Sequence, residues 1–195
     1  MFGTNMVFTV SSQSNPWVLS WLLGGASVGA YSICESVVNI PRVALTSMQN
    51  VMGPMLARAY AEGGKERLGK VVRRMDIALL AGSAIFAVGI VTLGPWVEMT
   101  IFKQAPEQSR WILALLSVNL IVFAATLAQS YGLTAMDKAG LTFYANLCGL
   151  AVQVAVTVWL VRSMRVPGAA EALLVGSLAV AVVRAYFYAK EIRTA

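Results

Sequence analysis

Six polar residues on one predicted helix hold the chemistry most easily read from this chain. In YSICESVVNIPRVALTSMQNVMGPMLARAY, Ser32, Glu35, Asn39, Arg42, Thr46 and Gln49 recur at alternating spacings of three and four. On an α-helix that spacing makes one continuous face. Glu35 and Arg42 lie about 10 Å apart along the axis, at 1.5 Å per residue. Arg42 falls near the centre of its apolar segment, where an arginine in a bilayer costs about 2.5–3.5 kcal/mol on insertion scales. Such a face should turn toward a bundle interior or a water-filled cavity rather than toward lipid. Two readings fit it. Either Glu35 and Arg42 pair with polar groups on neighbouring helices and lock the bundle, or they line a path for a charged or polar substrate. Arg42 suits a phosphate, because its fork is always charged and matches phosphate oxygens. A second stripe, in TVSSQSNP and just before it, sets Asn5, Thr9, Ser12 and Asn15 on one side of the first helix. The two stripes together would wall a hydrophilic cavity. The candidate substrate-contacting residues are therefore Arg42, Glu35, Asn39, Gln49, Asn5 and Ser12. Asn119, Gln129, Asn146 and Gln153 are single polar positions that suit interhelical hydrogen bonds.

Composition explains why these few residues stand out. Of 195 residues, 58% are hydrophobic and 12% charged, about half the charged fraction of a soluble domain. Residues 1–34, 77–97, 111–136 and 139–161 carry no charge at all. Uncharged apolar runs of about 18 residues or more read as membrane-spanning helices. There is no histidine, which excludes His-based zinc sites, His general bases and Ser-His-Asp triads. The two aspartates, Asp76 and Asp137, are too few for an aspartate-rich Mg²⁺ site, and no Ser-Lys pair lies at depth. Enzymatic chemistry, a cofactor and a metal site are not expected, and neither is nucleic acid. Cys34 and Cys148 lie far apart in apolar stretches and read as buried free thiols. Residues 1–23 lack a basic leading segment and do not look like a cleaved signal peptide.

The elements that must position the stripe are six helices, so the fold class is all-α. A single transmembrane bundle over 1–195 is expected, with spans at about 3–23, 28–61, 68–94, 108–135, 139–163 and 169–192. Gly24-Gly25, Gly63-Gly64, Gly94-Pro95 and Pro167-Gly168 close four of them. Short connections make neighbours antiparallel. Pro41 and Gly53-Pro54 mark two places where the second span should break, as helices of transporters do near the midplane. Between Glu62 and Asp76, Leu68, Val71, Val72 and Met75 face away from Lys70, Arg73 and Arg74. That pattern predicts an amphipathic lead-in lying on the inner leaflet. With a cytoplasmic N-terminus, ten Lys and Arg, Arg184 among them, fall on the inside against four outside, so both termini are expected in the cytoplasm. The five tryptophans cluster at the outer helix ends, as an aromatic belt does. Ala145/Gly149 and Ala172/Gly176 have the spacing of close helix packing.

The stretch GGASVGAYSICESVVNIPRVALTSMQNVMGPMLARAYAEGG resembles the seventh-to-eighth helix region of polysaccharide (oligosaccharide) flippases. These belong to the multidrug/oligosaccharidyl-lipid/polysaccharide exporter superfamily. The resemblance rests on Val28-Gly29-Ala30-Tyr31-Ser32, on the Pro41 position, and on Met52-Gly53-Pro54-Met55-Leu56-Ala57-Arg58. LTAMDKAGLTFYANLCGLAVQVAVTVWLV and Pro167-Gly168-Ala169-Ala170 resemble that family's last helix pair. The resemblance implies one half of a V-shaped transporter of two six-helix bundles in the bacterial inner membrane, flipping undecaprenyl-diphosphate-linked sugars outward. It implies that Arg42 contacts a diphosphate or anionic sugar, and that Glu35 serves coupling or holds Arg42. Because the family has twelve to fourteen helices, it also implies a partial chain that needs an N-terminal half or a second chain to complete the cavity. A cation-coupled multidrug exporter of the same superfamily and a non-transporting membrane scaffold are the alternatives.

Overall fold

The computed structural model describes residues 14–103 and 109–193, and these are all helix and short turns. The described part of α1 covers 14–23. It is followed by α2 (Gly25–Ser47), α3 (Gln49–Val97), a π-helical turn (Glu98–Phe102), α4 (Ser109–Ala135), α5 (Ala139–Met164) and α6 (Val166–Arg193). Most of the expected first span, with Asn5 and Ser12, lies outside the described residues.

The long α3 is two arms. Gly63 and Gly64 leave helical geometry, and Gly64 takes φ 59° and ψ −153°, a region open essentially to glycine alone. Contacts along α4 show that the chain reverses there. Going up α2 and into α3, Arg42 meets Asn119, and Gly53 faces Tyr131. Coming back, Val72 faces Gly132, and Gly94 faces Leu113. The first arm thus runs parallel to α4 and the second antiparallel. Among the described residues four helical runs are long and apolar enough to cross a membrane, and the first of these, Gly25–Thr100, contains both arms.

Pro41 and Pro54 do not break the chain where the sequence suggested. Helix α2 runs through Pro41, and where it meets α3 Met48 keeps right-handed helical angles, φ −65° and ψ −21°. The Thr46 and Ser47 hydroxyls both donate to Val43 O there, at 2.9 and 2.8 Å. The stretch after Gly64 also differs from the expected leaflet-lying lead-in. Leu68 and Val72 are fully buried in the core, with Val71 and Met75 packed against it. Their apolar face docks on α4 and α6, because Gly132 leaves room for Val72 and Tyr188 side by side. Lys70, Arg73 and Arg74 stay exposed on the other side. At the arm's start, Lys70 donates to Glu66 at 2.6 Å, which holds that exposed carboxyl below its usual range.

Helix α4 is the post of the bundle. Ile112, Leu113, Leu116, Leu120, Ala124, Ala128 and Leu133 are buried along its length. The most intimate pairs are α3 on α4 and α5 on α6, and α5 touches α4 only slightly. Outward faces stay apolar: Trp17, Trp21, Trp96, Trp111 and Trp159 are all exposed, as are Ile40, Ile85 and Val88. Cys34 is buried, but Cys148 is exposed. It sits one residue before Gly149, whose face is pressed on α6, so the thiol is turned about 100° away from that contact.

The α5–α6 seam depends on two glycines. A Cβ at Gly176 would lie 2.6 Å from Gln153 Cβ, and one at Gly149 would meet Val180 and the Gly176 carbonyl. Gly176→Val should therefore destabilise the bundle by about 1–3 kcal/mol through overpacking. Equilibrium unfolding in mixed micelles would measure it, and an unchanged midpoint would show that the seam yields without cost.

Candidate functional site

Glu35, Arg42 and Thr46 of α2 and Gln49 at the start of α3 open on one cavity of about 500 Å³. Its other walls come from α4, α5 and α6, and it sits where α5 stands away from α4. Asn39 and Ser32 do not line it. Asn39 is exposed at the stripe's edge and accepts a long 3.5 Å hydrogen bond from Arg42 Nη1. Gln49 is held by Tyr131, whose Oη donates to its Oε1 at 2.9 Å.

Arg42 reaches across the bundle. Its Nη2 donates to Asn119 Oδ1 at 3.1 Å, and its guanidinium carbon lies 6.0 Å from the Phe123 ring centroid. Asn119 is in turn oriented by α6: its Nδ2 donates to Ser177 Oγ at 2.6 Å and to Leu173 O at 3.4 Å. Asn119 thus makes the interhelical hydrogen bonds expected of it, to α2 and α6. It fixes where Arg42 points. No ion pair within 4 Å joins Glu35 to Arg42 among the described residues, although the two charges act on each other. Both side chains face the cavity separately.

A second arginine lines the same cavity. Arg184 on α6, counted in sequence as a cytoplasmic cation, is 7% exposed. Its Nη1 donates to Thr126 O and Oγ1 at 3.2 and 3.0 Å, and its Nη2 to Asn146 Oδ1 at 2.6 Å. It stands inside because α6 continues past it to Arg193, more than two further turns. The signal available in sequence was Asn146, a polar residue on an apolar helix with no obvious partner. Arg42 and Arg184 dock on Asn119 and Thr126 of α4, about two helical turns apart, or about 10 Å.

The described end of the first-helix stripe closes one end of the site. Asn15 is buried and donates to Ala169 O and Tyr31 Oη, while Gln153 and Thr157 donate to its Oδ1. Gln153 also donates to Ser14. This knot ties α1, α2, α5 and α6, so Asn15 works as a lock, with Gln153 and Tyr31 presenting their other sides to the cavity. Glu98 is fully buried beside Cys34 and does not line the cavity.

A bundle of apolar, outward-facing helices around a polar, arginine-bearing cavity is the architecture of a membrane transporter. The model of the MatE family matches residues 1–159. The chain belongs to the MatE family. It is accordingly a multi-pass membrane transporter of the multidrug/oligosaccharidyl-lipid/polysaccharide exporter superfamily and not an enzyme. No curated protein and no solved structure matches it.

The Arg42–Asn119 contact joins α2 to α4 through a charge-assisted bond, a class worth about 1.5–3 kcal/mol. A double-mutant cycle of Arg42→Ala and Asn119→Ala on unfolding free energy should return a coupling of that size. A coupling near zero would mean that Arg42 swings free of α4.

Proposed function

We propose that this MatE-family transporter moves a lipid-linked oligosaccharide, an undecaprenyl-diphosphate-linked sugar, across the bacterial inner membrane for cell-surface polysaccharide synthesis. One observation carries the reading. Two guanidinium groups and one carboxylate face a single cavity, and neither guanidinium has a carboxylate partner among the described residues. Buried charge without a partner is costly, and an anionic ligand would supply the missing one. A diphosphate suits the pair, since guanidinium forks match phosphate oxygens. The remaining lining is rich in hydroxyls and amides, such as Thr46, Gln49, Ser130 and Asn146, which suit sugar hydroxyls. Arg42 and Arg184 would hold the headgroup. Gln49 would contact sugar, Glu35 would release or couple, and Asn39 would steady Arg42 from the rim. Asn5 and Ser12 would extend the wall on the first helix.

In this reading the chain forms one bundle of a two-bundle transporter. An N-terminal half or a second chain would complete the cavity, and the two would rock about it in alternating access. Both termini would be cytoplasmic. With Arg184 moved into the bundle, nine basic residues remain inside against four outside, and the bias that favours this orientation survives.

A second reading, a cation-coupled multidrug exporter, draws support from Glu35 sharing one cavity wall with the aromatic rings of Tyr31, Phe123 and Tyr131. That setting suits a flat organic cation.

The two readings part in cells. Arg42→Ala and Arg184→Gln should each abolish surface polysaccharide while leaving membrane insertion intact, and a gene knockout should leave drug susceptibility unchanged. Normal polymer export by both variants would refute the flippase reading. Heightened drug sensitivity of the knockout would favour the exporter.

A further inference from the structure

The outward face of the bundle carries a groove of about 310 Å³ between the second arm of α3 and α4. On α3 it runs from Ala87 to Thr92. On α4 its wall is Ala114, Ser117, Val118 and Ile121, which recur at the spacing of one helix face. The two hydroxyls in this wall are spent within their own helices. Thr92 Oγ1 donates to Val88 O at 2.8 Å and to Gly89 O at 3.2 Å, and Ser117 Oγ donates to Leu113 O at 2.6 Å. The groove therefore presents an apolar wall. None of its residues lines the transport cavity.

One charge stands over this wall. Arg110, in the first turn of α4, precedes Ala114 by four residues, Ser117 by seven and Ile121 by eleven, so it shares their face of the helix. It is exposed, and no carboxylate among the described residues pairs with it. A helical side chain leans toward its helix N-terminus, which here is away from the groove and toward the membrane surface. Gly94 faces Leu113, so in these antiparallel helices Trp96 and Trp111 stand at one level. Both are exposed, as rings at headgroup depth are. From Arg110 to Ile121 the axis rises about 16 Å. That is about half of a hydrocarbon core about 30 Å thick, the depth of one leaflet.

We propose that this groove is a binding site for one anionic phospholipid, with its phosphate on Arg110 and an acyl chain laid between α3 and α4 down to Ile121. The phosphate supplies the partner that Arg110 lacks, and a guanidinium fork matches its oxygens. Neither the groove nor the first turn of α4 carries a carboxylate that could hold an ammonium. An anionic headgroup therefore fits better than a zwitterionic one. The shape selects a chain over a helix. Spread over the about 10 Å between Ala114 and Ile121, the groove is on the order of 30 Å² in section. A helix about 10–12 Å across does not enter it, whereas one extended hydrocarbon chain does, and gives the lining the contacts that a void withholds. The inference does not depend on which substrate the cavity carries.

The test is lipid titration of the purified full chain in detergent, read by native mass spectrometry. The first dioleoyl-phosphatidylglycerol should bind at least about tenfold more tightly than any later one. Arg110→Gln should weaken that first lipid by about tenfold or more, the scale of a lost hydrogen bond to a charged group. Ala114→Leu and Val118→Trp, which fill the groove, should each reduce it to the affinity of the later lipids. Dihexanoyl-phosphatidylglycerol, with the same headgroup and chains too short for the groove, should not compete. Arg73→Gln, at an exposed arginine near the other end of the arm, should bind like wild type. So should Arg42→Ala, which keeps this test separate from the flippase reading. Should Ala114→Leu fail to fold, Val118→Trp, at an exposed position, decides. The absence of a tight first lipid would overturn the proposal, as would its retention in both groove variants. A dimer that Val118→Trp dissolves would overturn it too, since a second copy would then be the occupant.

Discussion

Both cavity arginines, the half-buried Arg42 and the buried Arg184, are held by neutral oxygens. Arg42 leans on Asn119 and Asn39, and Arg184 on Thr126 and Asn146. Hydrogen bonds of this kind fix direction and offset part of the desolvation cost, but they leave the charge uncancelled. In an apolar bundle such charge is tolerated only where it faces a polar space. The cavity is therefore a condition of the fold as well as its functional surface. Helices α2, α4, α5 and α6 must stand far enough apart to give the two guanidiniums that space, yet close enough for amides and hydroxyls to reach them.

Helix α4 meets both demands. Its apolar residues pack against both arms of α3 and against α6, while Asn119 and Thr126 present acceptors two turns apart on the cavity side. Glycines set how near its neighbours come: Gly132 admits Val72 and Tyr188, and Gly94 admits Leu113. On the opposite side, Gly149 and Gly176 clamp α5 to α6. With α5 committed to α6 and α3 to α4, the opening falls between these two pairs.

Much of this was legible before any coordinates. Long uncharged runs can satisfy their backbone only as helices, so the spans at 108–135, 139–163 and 169–192 lie close to α4, α5 and α6. The glycine pair at 63–64 marked the reversal, because only glycine takes the conformation found at Gly64. The three-and-four spacing of Glu35, Arg42, Thr46 and Gln49 marked the cavity wall. Other features were not readable. Helix α2 runs on through Pro41, where a proline read along the chain alone signals a break. Leu68, Val72 and Met75 have the pattern of a leaflet-lying helix, and only the gap at Gly132 turns that face inward.

By itself, then, the sequence determined an all-α membrane bundle, the order of its helices and the helix that carries the first cavity arginine. These follow from local periodicity, hydropathy and the conformational range of glycine. Tertiary structure alone decided that no ion pair joins Glu35 to Arg42, that Arg184 joins the cavity instead of a loop, and that Asn15 knots α1 to α2, α5 and α6. Each of those depends on which residue of one helix meets which residue of another. That choice is set by the fit of small side chains at a few crossings, and no pattern along a single helix encodes it.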